Sequence, residues 1–333
     1  MKRRAFVGAF GTAVTVGTAG CSLDTASSEV DTRSPSRTRQ TTESEPPTNT
    51  EVPEATDSKL AEIDERVDRA ESMFVSWHGV HAEQVLDVGV TSNPSTFDRI
   101  KSLLVTAIAD YETYVSTHPE ASGVLPLLNR ARMLLDWAVI QRNLIFAYNT
   151  LDSAASALFD GRYQKFSRLM ARSERHRTDA NDRLHAHLSR RLTTIADVSS
   201  SVYESKIDQF RSERRGIETG ADALAAQRPV VEKTVAVLRS YVAGEFDRTR
   251  ATETIDAATV IADDLSAFCC TAPPVAATLT RLENAMTAIG NGLRTLKTSV
   301  ENDATEQTAA ETFRSARLVR RSEGPLAELV ASL

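Results

Sequence analysis

From Ser58 onward, apolar residues recur at intervals of three and four, with almost no alternation of the strand type, so the chain reads as helix after helix. Leu60, Ile63, Val67, Ala70, Phe74 and Trp77 form the first stripe, which predicts a helix ending near Gly89. The turn Thr91-Ser92-Asn93-Pro94 follows, and Ser95 is placed to cap a second helix with Phe97, Ile100, Leu104, Ala107, Tyr111 and Tyr114 on one face. His118-Pro119 ends it, because the residue before a proline is pushed out of helical geometry. The stretch from Val124 to Phe159 is apolar on more than one face, including Leu128, Ala131, Leu135, Ala138, Leu144 and Leu151. That pattern predicts a helix at the centre of a bundle.

Residues 162–214 read as a single helix of about 80 Å at 1.5 Å per residue. Its later stripe is Ala180, Leu184, Leu188, Leu192, Ile195, Val198 and Val202. The segment RSERHRTD at 172–179 is polar all round, which predicts either a solvent crossing or a break there. Gly216 and Gly220 open the second half, a sub-boundary near 215–220. A shorter helix with Val231, Val235, Leu238 and Tyr241 then ends at Gly244. Helix 247–269 follows, and Pro273-Pro274 forces a restart. Next comes a seam of coiled-coil quality: Val275, Leu279, Leu282, Met286, Ile289, Leu293, Leu296 and Val300. Such a seam needs a partner helix. A final helix near 304–322 and a tail after Pro325 bring the expectation to about eight helices. The fold class expected is all-α, an elongated antiparallel bundle with long coiled-coil-like helices. Two junctions, LFDGRY at 158–163 and YVAGEF at 241–246, resemble the turn of tetratricopeptide hairpins. Where that family places alanine three residues after the aromatic, this chain has Phe166 and Thr249, and its helices are too long for a 34-residue repeat.

The helical pattern stops before residue 58. Residues 22–57 hold one Leu, two Val and no aromatic, with eight acids and three arginines. A segment this poor in apolar surface cannot offset its ordering entropy, so a disordered linker is expected. Thirty-six flexible residues reach about 33–36 Å root-mean-square, enough to hold a domain clear of a surface.

The first residues have a different logic. Lys2, Arg3 and Arg4 precede sixteen uncharged residues, Ala5 to Gly20, which end at Cys21. About 20 apolar residues are needed to span a bilayer, so this stretch is short for a membrane helix and reads as a signal peptide at 1–20. Arg3-Arg4-Ala5-Phe6-Val7 resembles a twin-arginine export signal, with Lys2 and Gly8 departing from the usual flanks. Thr18-Ala19-Gly20-Cys21 resembles a lipobox in which Thr18 stands where Leu is usual. Together, residues 1–57 closely resemble exported lipoproteins of haloarchaea, and an excess of arginine over lysine (32 against 7) is compatible with that origin. The resemblance implies a diacylglyceryl thioether on Cys21, export of an already folded domain, and anchoring at the outer face of the cell membrane.

Charge narrows the partners. Residues 58–333 carry 37 acids against 33 bases, so no global positive field attracts nucleic acid, and that partner class is rejected. With Cys21 lipidated, only the neighbours Cys269 and Cys270 remain, which is no disulfide framework. They read either as two small apolar side chains near a helix end or as a vicinal disulfide.

No phosphate loop, zinc-protease motif, Cys-X-X-Cys or nucleophile elbow occurs, so no catalytic residue and no cofactor is assigned. His78 and His81 are three apart on the expected first helix, with Met73 and Gln84 on adjacent turns. They read as a metal pair or, more plainly, as two partly exposed histidines. Glu174, His176, Asp179, Asp182, His185 and His187 form a second cluster, in which Asp182-Arg-Leu-His185 resembles a carboxylate-X-X-His ligand step. No second copy is present to complete a di-metal bundle. The basic run Arg168, Arg172, Arg175, Arg177, Arg183, Arg190 and Arg191 reads as a solvated helix face or as a docking surface for an acidic partner. The functional expectation is a cell-surface, lipid-anchored binding or scaffold protein, with a protein partner or a second copy taken up through helix seams. The rival is a metal-binding or enzymatic bundle built on His176 and His185.

Overall fold

The computed structural model describes residues 54–79, 84–119, 121, 123–190, 192, 194–266, 273–302 and 325–332. Within them the protein is all-α. The helices are α1 (Glu54–Val75), α2 (Phe97–Thr117), α3 (Val124–Phe159), α4 (Tyr163–Ser189), α5 (Ser200–Val242), α6 (Arg248–Ser266), α7 (Pro273–Glu301) and a short α8 (Pro325–Ser332). No strand occurs among the described residues.

Consecutive helices run antiparallel, and their side chains show it. Tyr111 and Asp110 of α2 meet Asp64 and Arg66 of α1, while Trp77, just beyond α1, meets Thr96 at the other end. Asp136 and Ala147 of α3 pair with His187 and Ser173 of α4, in reversed order. Tyr203 and Glu218 of α5 meet His187 and Arg177 of α4. Thr252 and Thr259 of α6 meet Lys297 and Arg294 of α7. It follows that α3, α5 and α7 run the same way. Gln141 faces Glu213, and Tyr148 faces Thr278.

The central place predicted for α3 holds. Trp137, Ile140, Leu144, Ile145, Leu151 and Leu158 are buried around its circumference, against α2, α4 and α5. Helices α6 and α7 pair with each other and with α5. The α7 seam is buried from Leu279 to Leu296, so its partner helices lie within the same chain.

Several boundaries differ from expectation. Helix α1 ends at Val75, well before Gly89, and Trp77, Val85, Val88 and Val90 bury in a strap between α1 and α2 whose described parts include two short 3₁₀ turns. Within the strap, the Asn93 amide donates to the Trp77 carbonyl at 2.9 Å. Thr96, not Ser95, precedes α2, and its hydroxyl accepts from Trp77 Nε1 (2.8 Å) rather than capping the helix. The single helix expected over 162–214 is two helices, broken at 190–199 rather than at 172–179. The apolar rhythm continues through the break, which is why it was not visible. The chain turns there because Asp197 adopts a left-handed φ of 58° and the Ser199 hydroxyl caps α5 by accepting from the Val202 amide. The Thr194 carbonyl takes Asn129 Nδ2, and the Ala196 amide donates to the Pro126 carbonyl, tying the turn to α3. The 172–179 stretch stays helical. Its Ser173 is buried and donates to the Ala147 carbonyl at 2.8 Å.

Helix α5 runs 43 residues, so Gly216, Gly220 and the expected later helix around Val231 all lie inside it. A Cβ at Gly220 would sit 2.9 Å from Leu151 Cδ2, which shows how closely α5 approaches α3. Gly220→Val is therefore expected to lower stability by about 1–3 kcal/mol through overpacking. Gly220→Ala should be near neutral, because about 0.5–1 kcal/mol of gained helix propensity offsets the displaced Leu151 methyl. Urea denaturation of both variants checks the contrast. Gly161 and Gly244, with φ of 69° and 78°, end α3 and α5 in the same way. The following amides of Arg162 and Glu245 reach back to the carbonyls of Ala157 and Ser240. The likeness of the two junctions is thus a shared Schellman stop. The expected helix 304–322 and Cys269-Cys270 lie outside the described residues, and α6 ends at Ser266.

Candidate functional site

The bundle's most unusual feature is polar and internal. Asp136 is fully buried on α3, a helix that is otherwise apolar at this level. Its Oδ2 accepts from His187 Nδ1 and from Arg190 Nη1, each at 2.9 Å. Arg183 Nη2 stands 2.6 Å from Oδ1 as an ion pair. The other nitrogen of His187, Nε2, lies 2.9 Å from the Tyr203 hydroxyl. With a neutral imidazole the order is fixed: the phenol donates to Nε2, and Nδ1–H donates to the carboxylate. Burial, and then the charge of Asp136, push the Tyr203 hydroxyl above its ordinary range, so it remains a donor. The result is a clasp joining α3, α4 and α5 beside the 190–199 turn.

About one to three turns further along α5 lies a second network. Lys206, fully buried, donates to the Val88 carbonyl (2.6 Å) and to Oε1 of Gln141 and of Gln209 (3.0 Å each). Gln141 Nε2 and Gln209 Nε2 in turn donate to the two oxygens of Glu213, at 2.8 and 3.1 Å. Two glutamines therefore bridge a buried ammonium and a buried carboxylate. Phe74 and Phe210 offer their ring faces to the ammonium at 5.7 and 5.0 Å. Burial pushes Lys206 down to about 7 against the opposing pull of Glu213 and Asp87, and burial raises the Glu213 carboxyl. The network holds the strap as well, because Gln209 Nε2 also donates to the Val88 carbonyl. A Cβ at Gly89 would come within 3.0 Å of Glu213 Oε1.

Two shallow clefts flank these networks. One of about 210 Å³ is lined by Glu71, Val85, Trp137, Asp197 and Val202, among others. The other, about 320 Å³, is lined by Leu188, Tyr203, Glu204, Ile207, Asp208 and Arg211. Tyr203 is shared between the clasp and the second cleft. Arg130 pairs with Asp68 and Glu71 of α1 and with Asp197 of the turn, closing the end of the first.

The residues singled out in the sequence disperse. Arg3, Arg4, Phe6 and Cys21 lie outside the described residues, as does His81. His78 sits in a short 3₁₀ turn after α1 and Gln84 caps the next one, so the single helix expected to carry Met73, His78 and Gln84 ends before His78. His176 is half-buried against Phe146, with ring centroids 5.6 Å apart. Asp179, Asp182 and His185 are exposed on α4. Glu174 is engaged by Arg177. Among the described residues, no group of three or more His, Cys, Asp or Glu side chains could hold a metal ion. Of the whole cluster only His187 enters an internal network, and it does so as a hydrogen-bonding link.

Asp136, Gln141, Tyr203, Lys206 and Glu213 were not picked out from the sequence. A signal existed for some of them. Asp136 and Gln141 interrupt an apolar helix, and Lys206 and Glu213 are seven apart, hence on one face of α5. Their mutual pairing, across more than sixty residues of chain, had none. Comparison of the chain with family models, with curated proteins and with solved structures finds no match.

Proposed function

We propose that this chain is an exported, lipid-anchored protein of the outer membrane face whose helical unit serves as a binding or scaffold module. The leader with Arg3, Arg4 and Phe6 addresses it, Cys21 carries the lipid, and the residues between Cys21 and the start of α1 at Glu54 act as the tether. Among the described residues no helix is long and apolar enough to cross a membrane. With helices of 36 and 43 residues, about 54 and 65 Å long, the unit is an elongated bundle offering extended faces. The observation that carries the scaffold reading is the state of the buried ionisable groups. Asp136, His187, Lys206 and Glu213 are each engaged by partners within the bundle, so they act as ties between helices. Because α7 turns its seam toward α5 and α6, a partner protein or a second copy would take other helix faces.

The address is tested in cells. Cys21→Ser is expected to release a soluble extracellular form. Arg3→Lys/Arg4→Lys is expected to leave an unprocessed chain in the cytosol. Fractionation followed by mass spectrometry of the amino terminus reads both results, and membrane retention unchanged by Cys21→Ser would refute the anchor.

A further inference from the structure

The basic run on α4, continuous in the sequence, is divided by the fold. Arg177 is engaged by Glu174 and Glu218, and Arg183 and Arg190 by Asp136. Arg191 lies outside the described residues, and what is left is Arg168, Arg172 and Arg175, which Lys165 precedes, all four exposed at intervals of three, four and three along one side of α4. In a bundle where Arg66, Arg130, Arg132, Arg228 and Arg281 all reach carboxylates, none of these four does so among the described residues. Arg168 only turns its Nε back toward the Gln164 carbonyl, at 3.4 Å.

Arg142 of α3 adds a fifth cation from the neighbouring helix. Its guanidinium carbon lies 4.5 and 4.7 Å from the ring centroids of Phe97 and Phe146, and it makes no ion pair among the described residues. Contact through the faces of a guanidinium leaves its N–H edge for acceptors in the plane. His176 packs against the same Phe146 ring. Burial first, and then Arg172, Arg142 and Arg175, hold its protonation below the ordinary range, with Asp179 opposing. Arg172 and Arg175, four and one residues before His176 on α4, and Arg142, which shares its Phe146 ring, thus bring three guanidiniums from two helices to one imidazole, with Asp179 exposed one turn beyond Arg175.

We propose that the α3–α4 face formed by Arg142, Arg172, Arg175 and His176 binds a phosphate group, with Arg168 and Lys165 extending the site along α4. A tetrahedral oxyanion offers acceptor edges to more than one guanidinium at once, the geometry in which arginine forks bind most strongly. It also relieves the mutual repulsion of cations that form no ion pair among the described residues. Inorganic phosphate and a phospholipid headgroup share this chemistry. The site stands independently of whether the chain is lipid-anchored.

The test uses the full-length chain and the proton NMR titration of its histidines, with His176 assigned through His176→Gln. Inorganic phosphate, compared with chloride at equal ionic strength, should raise the His176 pKa, because a bound anion favours the imidazolium. Arg172→Gln/Arg175→Gln should abolish that rise and weaken phosphate binding by about tenfold or more, the loss expected when charge-assisted hydrogen bonds are removed. Arg177→Gln should leave both unchanged. Both substituted arginines are exposed, and an unaltered melting temperature checks that the double variant folds. Cosedimentation with phosphatidylglycerol and phosphatidylcholine vesicles identifies the source. Retention on the anionic vesicles that is lost in the double variant assigns the site to headgroups, whereas a phosphate response without retention assigns it to free phosphate. A His176 titration indifferent to phosphate, or a response that survives Arg172→Gln/Arg175→Gln, overturns the proposal.

Discussion

Lys206→Met is expected to lower the unfolding free energy by about 3–5 kcal/mol, the cost of leaving a buried charge without its partner. The stranded group is Glu213, 3% exposed and unable to re-solvate, with two glutamine amides and the Val90 backbone amide beside it but no other cation acting on it among the described residues. The double variant Lys206→Met/Glu213→Gln should recover much of that loss, because no uncompensated charge then remains in the interior. Equilibrium urea unfolding of the two single variants and the double one measures the coupling. A Lys206→Met cost below about 1 kcal/mol would show that the pair is not closed to water.

The same lysine predicts a pH dependence whose sign is unusual for a buried pair. Burial lowers Lys206 to about 7 in the folded protein, against an ordinary value of 10.5 in the unfolded chain. Between those two values the unfolded chain holds a proton that the folded one lacks. Unfolding therefore takes up protons there, and stability rises with pH, by at most one proton's worth of slope. Urea midpoints of the parent should accordingly increase between pH 7 and 10 relative to those of Lys206→Met. A parallel pair of curves would count against it.

Asp136→Asn should be the other severe lesion, at about 3 kcal/mol and the low end of the range for broken buried pairs. The reason is asymmetry among its partners. Arg183 and Arg190 retain 32% and 40% side-chain exposure and can turn to solvent, whereas His187 has none. His187→Leu should cost less, about 1–3 kcal/mol, because Asp136 keeps both arginines while only the hydrogen bonds of the imidazole are lost. Since the clasp sits beside the 190–199 turn, hydrogen exchange at the start of α5 should accelerate in Asp136→Asn more than exchange at the centre of α7. Equal acceleration at both would indicate global loss rather than a broken clasp.

How much of this could be read beforehand depends on what each feature needs. Helix α3 was legible to its ends, Val124 and Phe159, because an all-round apolar pattern and its flanking stops are local properties. The α7 seam was legible for the same reason. The break at 190–199 was not, since Leu188, Leu192, Ile195 and Val198 keep helical spacing through it and no glycine or proline marks it. Gly216 and Gly220 misled in the opposite direction. They read as breakers, yet both lie inside α5, and Gly220 is where that helix approaches Leu151 of α3 most tightly.

The distribution of greasy and polar positions alone predicted the all-α unit from near residue 58 onward and set it apart from residues 22–57, which are poor in apolar side chains. Helical periodicity and poverty of apolar surface are both properties of neighbouring residues, so they survive without any knowledge of the fold. Which charges are neutralised is another matter. Arg177, Arg183 and Arg190 look no different from Arg168, Arg172 and Arg175 along the chain, and Asp136 is 47 to 54 residues away from the arginines it holds. Only the packing of α3 against α4 and α5 separates cations that tie the bundle together from cations left facing outward, because electrostatic pairing is decided by distance through space.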